Sequence, residues 1–250
     1  MKNIKVLLSL VIFTISQTVF AANNTLSDFR PGFYLGAQVG YASLDEGSGF
    51  EDAIKYEYND VTSNNKFYEV SKDINTAGIG GRGFLGYSFT PYFSLEAGYS
   101  LFPDNGYRYE EEYPNIKDIS INTEAYSIDL VGKAIFPLEK MSPAFAGWGI
   151  YAKLGVAYTY STYQRVDKLS WPDTITMTTS AIRPAYGAGI SYNFTDKFAV
   201  DFSWTGTYGK NFVTEEDISF TSKIQAIPTT NLFAFGISYK FSWADLTQAN

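Results

Sequence analysis

The chain has 250 residues and a formal net charge of -7, and 18% of its residues are Phe, Tyr or Trp. It contains 21 Gly, no Cys and no His, so no disulfide framework can stabilise it. Its acidity excludes nucleic acid as a partner class, because phosphate binding needs clustered Lys and Arg and the sequence has no such cluster. The length suits one large domain or two small ones.

The N-terminus predicts a secretory signal peptide over residues 1–21. Lys2 and Lys5 precede an apolar run from Val6 to Ile15, and small residues around Ala21 fit a cleavage site. A membrane helix is the alternative, but this run is shorter than the roughly 20 residues that a span requires. We therefore expect the mature protein to be secreted.

Eight segments after residue 31 alternate large apolar residues with small or polar ones, which is the period of a β-strand. Their connectors are alternately short and long, which predicts an antiparallel up-and-down meander. The predicted strands are 32–41, 76–89, 92–102, 126–136, 149–160, 185–194, 198–204 and 232–241. The predicted long connectors are 44–76, 103–125, 161–181 and 206–231. The stretches "YRYEEEYPNIKDISI" and "YTYSTYQRV...TITMTTSAI" could continue strand pairing beyond the barrel rim.

Seven charged residues fall within these strands, each on the face opposite the large apolar residues. A soluble barrel such as a lipocalin would turn its apolar face inward and a face rich in Lys, Glu and Thr to water. Here the second face is mostly Gly, Ala and Ser, which suits a crowded interior, and aromatic residues gather near both strand ends, as membrane interfaces select. We predict an all-β, eight-stranded antiparallel transmembrane barrel with four long extracellular loops. The predicted lumen charge network comprises Arg82, Glu96, Asp129, Lys133, Lys153, Asp201 and Lys240.

The stretches "GRGFLGYSFTPYFSLEAGYS", "IYAKLGVAY", "PAYGAGISYNFTDKFAVDFSW" and "FAFGISYKF" resemble the OmpA-type and related eight-stranded outer-membrane barrels of Gram-negative bacteria. The resemblance extends from about Gly32 to Phe241 and implies an outer-membrane location with both termini in the periplasm. It further implies that Glu96, Lys133 and Lys153 match inward charges of an ion-pair network.

Two positions depart from that family pattern. Asp201 stands where the pattern has an inward arginine, and Ser191 where it has an inward glutamate, so the salt-bridge gate proposed for the family is not carried over. The resulting domain prediction is a signal peptide over 1–21, a periplasmic N-terminal segment over 22–31, a transmembrane barrel over 32–241 and a periplasmic tail over 242–250.

Gly78, Gly80 and Gly83 have the spacing G-x-G-x-x-G of a dinucleotide-binding loop, which requires a helix directly after the motif. Here the motif begins a predicted strand, so we predict no cofactor and expect Gly80 to leave lumen space near Arg82. Glu96 on the adjoining strand is the first choice as the partner of Arg82, because a tight turn brings it within a diagonal.

No catalytic or metal-binding residues are predicted. The usual general base near neutral pH is missing because the chain has no His, and the acidic run Glu110–Glu112 lacks the spacing of a calcium loop.

Two of the long loops are strongly acidic. Loop 44–76 holds eight acidic and three basic residues, and loop 103–125 holds six acidic and two basic residues, so their net charge together is -9. We predict a structural or adhesin-like surface-interaction role through these acidic, Tyr-rich loops, with an extracellular ligand, membrane lipid and lipopolysaccharide as partners. The alternatives are a narrow ion-conducting pore and a carboxylate-dependent lipid-modifying enzyme.

Overall fold

The computed structural model describes residues 29–45, 71–75, 77–111, 117–167, 173–209 and 227–241. The predicted signal peptide and the tail 242–250 lie outside these residues, as do most of the N-terminal segment and parts of the long connectors. Within the described residues, no helix is long and apolar enough to cross a bilayer. Their strands are β1 Gly32–Asp45, β2 Ser71–Asn75, β3 Ala77–Thr90, β4 Phe93–Leu101, β5 Asn105–Glu111, β6 Lys117–Pro137, β7 Trp148–Asp167, β8 Asp173–Asn193, β9 Phe198–Thr207 and β10 Thr229–Lys240.

Eight of these strands form a closed antiparallel barrel in the order β1, β3, β4, β6, β7, β8, β9 and β10, with β10 pairing back to β1. Hydrogen-bonded partners traced around the barrel from Gln38 reach β8 at Ala181 in one direction and at Ser191 in the other. The shear is therefore ten residues, which tilts the strands. An eight-stranded barrel of this kind has an interior just wide enough for its own side chains.

The two faces of the barrel wall are chemically opposite. Apolar residues point outward and are exposed, as at Ile79, Leu154 and Phe235, whereas Glu96 in the lumen is 0% exposed. A soluble barrel would have the reverse arrangement, so that alternative is wrong. The outward apolar face suits contact with lipid, which offers no hydrogen bonds to polar groups.

Aromatic side chains contact one another near both ends of the barrel. Near the short turns, the rings of Phe33, Tyr87 and Phe89 form a chain with centroid distances of 4.8 and 4.9 Å. At the end that carries the long connectors, the rings of Tyr126 and Tyr160 stack 4.7 Å apart. Two such belts are typical of the two interfaces of a bilayer.

A sheet continues beyond the barrel at the long-connector end. Strand β2 pairs with β5, which pairs with residues 117–123 of β6, and the distal parts of β6, β7 and β8 pair with one another as far as Asp167 and Asp173. We call this region the extension sheet. The prediction that strand pairing could continue beyond the rim is confirmed here, because β5 and β6 pair within 103–125 and β7 and β8 pair within 161–181. Strand β2 was missed because it is only five residues long and lacks an alternating pattern.

Candidate functional site

The lumen contains a cluster of buried charges centred on Glu96 of β4. One carboxylate oxygen, Oε1, accepts hydrogen bonds from the Tyr34 hydroxyl at 2.9 Å and from the Lys133 Nζ at 3.1 Å. The other oxygen, Oε2, lies 2.6 Å from the Lys153 Nζ and 3.4 Å from the Arg82 Nη1. Glu96 therefore contacts three cations that come from three different strands.

Arg82 of β3 makes its shorter contacts with Asp129 of β6. Its Nη2 donates to Asp129 Oδ1 at 2.6 Å, and its Nε donates to Oδ2 at 3.1 Å. The expected partner Glu96 is also in contact, but with a single longer bond. Gly98 of β4 lies directly opposite Phe84 on one side and Asp129 on the other. Because Gly98 has no side chain, the Arg82 guanidinium can extend across β4 to Asp129. A Cβ at Gly98 would lie 2.6 Å from the Arg82 Cζ.

Three aromatic rings surround these charges, and none of the three was predicted as a site residue. The Lys133 Nζ lies 4.1 Å from the centroid of the Tyr151 ring, and the Arg82 Cζ lies 5.2 Å from that of Phe84. Contacts of this type stabilise a cation through the negative face of the ring. Tyr34 completes the group, since its ring packs edge-on against Phe84 at 6.1 Å.

Each large lumen ring faces a glycine on the neighbouring strand. The cross-strand pairs are Tyr34 with Gly86, Phe84 with Gly36, and Tyr151 with Gly189. A Cβ at any of these glycines would overlap the opposite ring. This pairing of a large residue with glycine is the signal by which the three rings could have been found, but it requires the strand register, which a single sequence does not contain.

The other two predicted network residues lie apart from the cluster. Asp201 of β9 accepts hydrogen bonds from the Gln38 Nε2 at 2.7 Å and from the Tyr151 hydroxyl at 3.4 Å. Lys240 lies at the short-turn end of the barrel, where its Nζ is 4.1 Å from the centroid of the Phe29 ring. The structure therefore joins five of the seven residues through ion pairs, and it holds Asp201 beside them through neutral donors.

The G-x-G-x-x-G stretch lies in β3 and is followed by β4, not by a helix. A Cβ at Gly80 would lie 2.5 Å from the Ala42 Cβ of β1, so the glycine allows β1 and β3 to pack closely. The expectation that Gly80 makes room for Arg82 is wrong, because Gly98 has that role. Gly83 faces outward and has open space around it.

The part of the lumen nearer the long connectors is lined by both hydroxyl and apolar side chains. Ser127, Thr205 and Leu232 are among the residues around a cavity of about 20 Å³. A space of this size holds about one water molecule. Within the described segments, no three Asp, Glu, His or Cys side chains come together as a metal site. The acidic stretches 46–70 and 112–116 lie outside those segments.

A closed eight-stranded barrel with an apolar outer band, two aromatic belts and a charged lumen defines the class of outer-membrane β-barrel proteins. The chain belongs to the outer membrane protein beta-barrel domain family, whose model matches residues 6–241. The protein is therefore located in the outer membrane of a Gram-negative bacterium, in contact with its lipid.

Known proteins similar to this chain are distant in sequence. An uncharacterized protein of Coxiella burnetii is 27% identical over 234 residues, covering 84% of this chain and 85% of the relative. The crystal structure of Neisserial surface protein A is 14% identical, with a TM-score of 0.46, and covers 85% of this chain and 100% of that one. Ail of Yersinia pestis, in complex with the heparin analogue sucrose octasulfate, is 14% identical, with a TM-score of 0.43 and coverages of 84% and 99%.

Proposed function

We propose that this protein is a surface-interaction protein: a membrane anchor whose extension sheet and acidic connectors contact an extracellular partner. The observation that carries this proposal is the length of the strands beyond the outer tyrosine belt. Residues 117–125 of β6 lie beyond Tyr126 and rise roughly 30 Å along the strand. A barrel that served only as an anchor would need no paired strands of that length beyond the belt.

The packing of the lumen supports the role of anchor. Arg82, Glu96 and Lys153 are each at most 3% exposed, and each forms an ion pair within the protein. Uncompensated buried ions would cost several kcal/mol each, so this cluster specifies one arrangement of the strands that contribute to it. A rigid, filled barrel is a suitable base for a sheet that projects from the membrane.

The extracellular side of the chain carries the charge that such contacts would use. The connectors 44–76 and 103–125 together have a net charge of -9, whereas the whole chain has -7. A concentrated negative charge increases the rate of association with a basic partner, and this increase becomes smaller as the ionic strength rises. Lipopolysaccharide of the surrounding membrane is the second partner that we propose, with its negative groups bridged to the acidic surface by divalent cations.

We also propose that the protein is not an enzyme. The chain contains no His, and the buried carboxylates Glu96 and Asp129 are engaged in ion pairs inside the lumen. A general acid or base must lie within hydrogen-bond distance of its substrate. These two carboxylates point into the lumen and cannot contact a lipid outside the barrel wall. Turnover of lipid A by the purified protein would contradict this proposal.

Adhesion of bacteria provides the direct test of the surface-interaction role. A laboratory strain that displays the full chain is expected to adhere to cultured epithelial cells several-fold better than the same strain without it. Replacing residues 46–70 by a short Gly-Ser linker should return adhesion to background. In a second variant, every Asp and Glu of 46–70 is changed to Asn or Gln, which removes the negative charge but keeps the size of each side chain. This variant shows whether adhesion depends on the charge of the connector or on its shape. Equal adhesion of all strains at equal surface level would refute the role.

Conductance tests the alternative of a narrow pore. We expect the purified protein in planar bilayers to give no stable single-channel steps, because the interior of an eight-stranded barrel is just wide enough for its own side chains and the cavity described above holds about one water molecule. Lys133→Ala provides the comparison, since the Lys133 side chain lies in the lumen, with its Nζ 3.1 Å from Glu96 Oε1. Stable steps in the wild type that change with this substitution would favour the pore instead.

A further inference from the structure

The outward face of the extension sheet carries a regular array of polar side chains next to the membrane. The strand register aligns two rows across β6, β7 and β8, namely Asn122, Gln164 and Thr176, then Glu124, Thr162 and Thr178. Thr162 is partly exposed and the other five are exposed. The opposite face is buried at the alternate positions Thr123 and Ser161. The array is therefore a distinct surface of the protein.

A third row, nearer the membrane, begins with an aromatic pair. Tyr126 of β6, Tyr160 of β7 and Ser180 of β8 are aligned by the register. The Tyr126 and Tyr160 rings stack at 4.7 Å with an interplanar angle of 19°. On the other side of Tyr160 the neighbour is Ser180, which is too small to cover a phenol ring. We call these three rows the polar grid, and Tyr160 with Ser180 its shelf.

The chemistry of the polar grid matches a neutral saccharide. Amide and hydroxyl groups both donate and accept hydrogen bonds, as sugar hydroxyls do, and an uncovered ring face packs against the apolar C–H face of a pyranose. Glu124 is the one charged residue among these nine described positions. Phosphate recognition would instead call for Arg or Lys in the grid.

The location of the polar grid indicates which saccharide it meets. Directly below it, the same outward face continues as the lipid-contacting surface, where Ile128, Leu130 and Val156 are each at least half exposed. Tyr126 and Tyr160 belong to the outer aromatic belt, which marks the level of the headgroups. The grid thus rises from the headgroup level into the layer above it, which the core sugars of lipopolysaccharide occupy in the outer leaflet.

We infer that the polar grid binds the core oligosaccharide of lipopolysaccharide in its own membrane, with a sugar ring on the shelf formed by Tyr160 and Ser180. This inference rests on the lipopolysaccharide contact proposed above and names the sugars as the component bound. It does not depend on the extracellular partner, which would use the acidic connectors.

Binding of the isolated saccharide tests the inference. The full chain is reconstituted in phosphatidylcholine nanodiscs and titrated, in separate arms, with dephosphorylated core oligosaccharide and with lipid A, using ligand-observed NMR. The wild type should bind the oligosaccharide, and Tyr160→Ser should weaken this binding about tenfold by removing the ring. Ser180→Leu should weaken it similarly by filling the shelf. Heat-modifiable gel mobility checks that each variant is folded.

Tyr158→Ser is the matched control. Tyr158 lies on the same strand and the same face, 44% exposed, but its cross-strand neighbours are Ile128 and Ile182. Its substitution should leave oligosaccharide binding within about twofold of wild type. Binding of lipid A without the oligosaccharide would overturn the inference while the lipopolysaccharide contact stands. Failure of both shelf variants to weaken binding would also overturn it, as would stronger binding of a soluble sulfated glycan.

Discussion

Glu96→Ala is expected to destabilise the barrel by about 3–5 kcal/mol, because it removes the carboxylate that two buried cations and one partly buried cation share. The remaining acid of the ion-paired cluster, Asp129, already binds Arg82 through two hydrogen bonds and cannot reach all three cations. Equilibrium urea unfolding in phospholipid vesicles, followed by tryptophan fluorescence, measures the change. Glu96→Gln, which keeps the shape, should lose nearly as much, since the charge is the quantity removed.

Two further variants make the test of Glu96 specific. Ser100→Ala alters a buried lumen residue of the same strand and should cost less than about 1 kcal/mol. Adding Lys153→Met to Glu96→Gln removes one of the cations left unpaired, and should recover at least about 1 kcal/mol relative to Glu96→Gln alone. If Glu96→Ala costs no more than Ser100→Ala, Glu96 is not the centre of the cluster.

Gly155→Ala is expected to destabilise the barrel by about 1–3 kcal/mol, because strands β6 and β7 approach too closely there for a side chain. A Cβ at Gly155 would lie 2.7 Å from the Cα of its partner Val131 and would also meet the Leu130 carbonyl oxygen. Both are backbone atoms, so relief requires displacement of a strand and not of a flexible side chain. The same urea unfolding experiment measures the loss.

Gly83→Ala is the matched control for Gly155→Ala and should have the opposite effect. Gly83 also lies within a barrel strand, but no atom lies within 4 Å of the position that its Cβ would take. The substitution reduces the conformational entropy of the unfolded chain and creates no clash in the folded barrel. We therefore expect it to stabilise the barrel by about 0.5–1 kcal/mol. Equal effects of the two substitutions would show that close strand approach does not explain the lumen glycines.

Residue alternation was sufficient to assign all eight barrel strands and the face to which each side chain belongs. In β1, for example, Leu35 and Val39 are exposed to lipid whereas Tyr34 and Gln38 are buried in the lumen, as the pattern predicts. This succeeds because the strand period is a local property: successive side chains point to opposite faces whatever the strand pairs with. The short strand β2 has no such pattern, and among the described strands it pairs with β5.

The partners within the lumen were not predictable in the same way. Arg82 bonds chiefly to Asp129 because the register places Gly98 between their strands, and Tyr151 reaches the cluster because Gly189 lies opposite it. Each of these contacts joins residues that are far apart in the sequence and that meet only because of the stagger between strands. A shift in register of two residues would keep every residue on its face and yet change every lumen neighbour.

Residue order alone predicts a membrane-embedded barrel with charges inside, because alternation and the two aromatic belts are local features of the chain. The three-dimensional fold was needed to show which charges meet, which glycines admit the rings of Tyr34, Phe84 and Tyr151, and how far the sheet continues beyond the membrane. These features depend on the stagger between strands, which is set by closure of the barrel with a shear of ten residues. That stagger brings Glu96 together with three cations from separate strands.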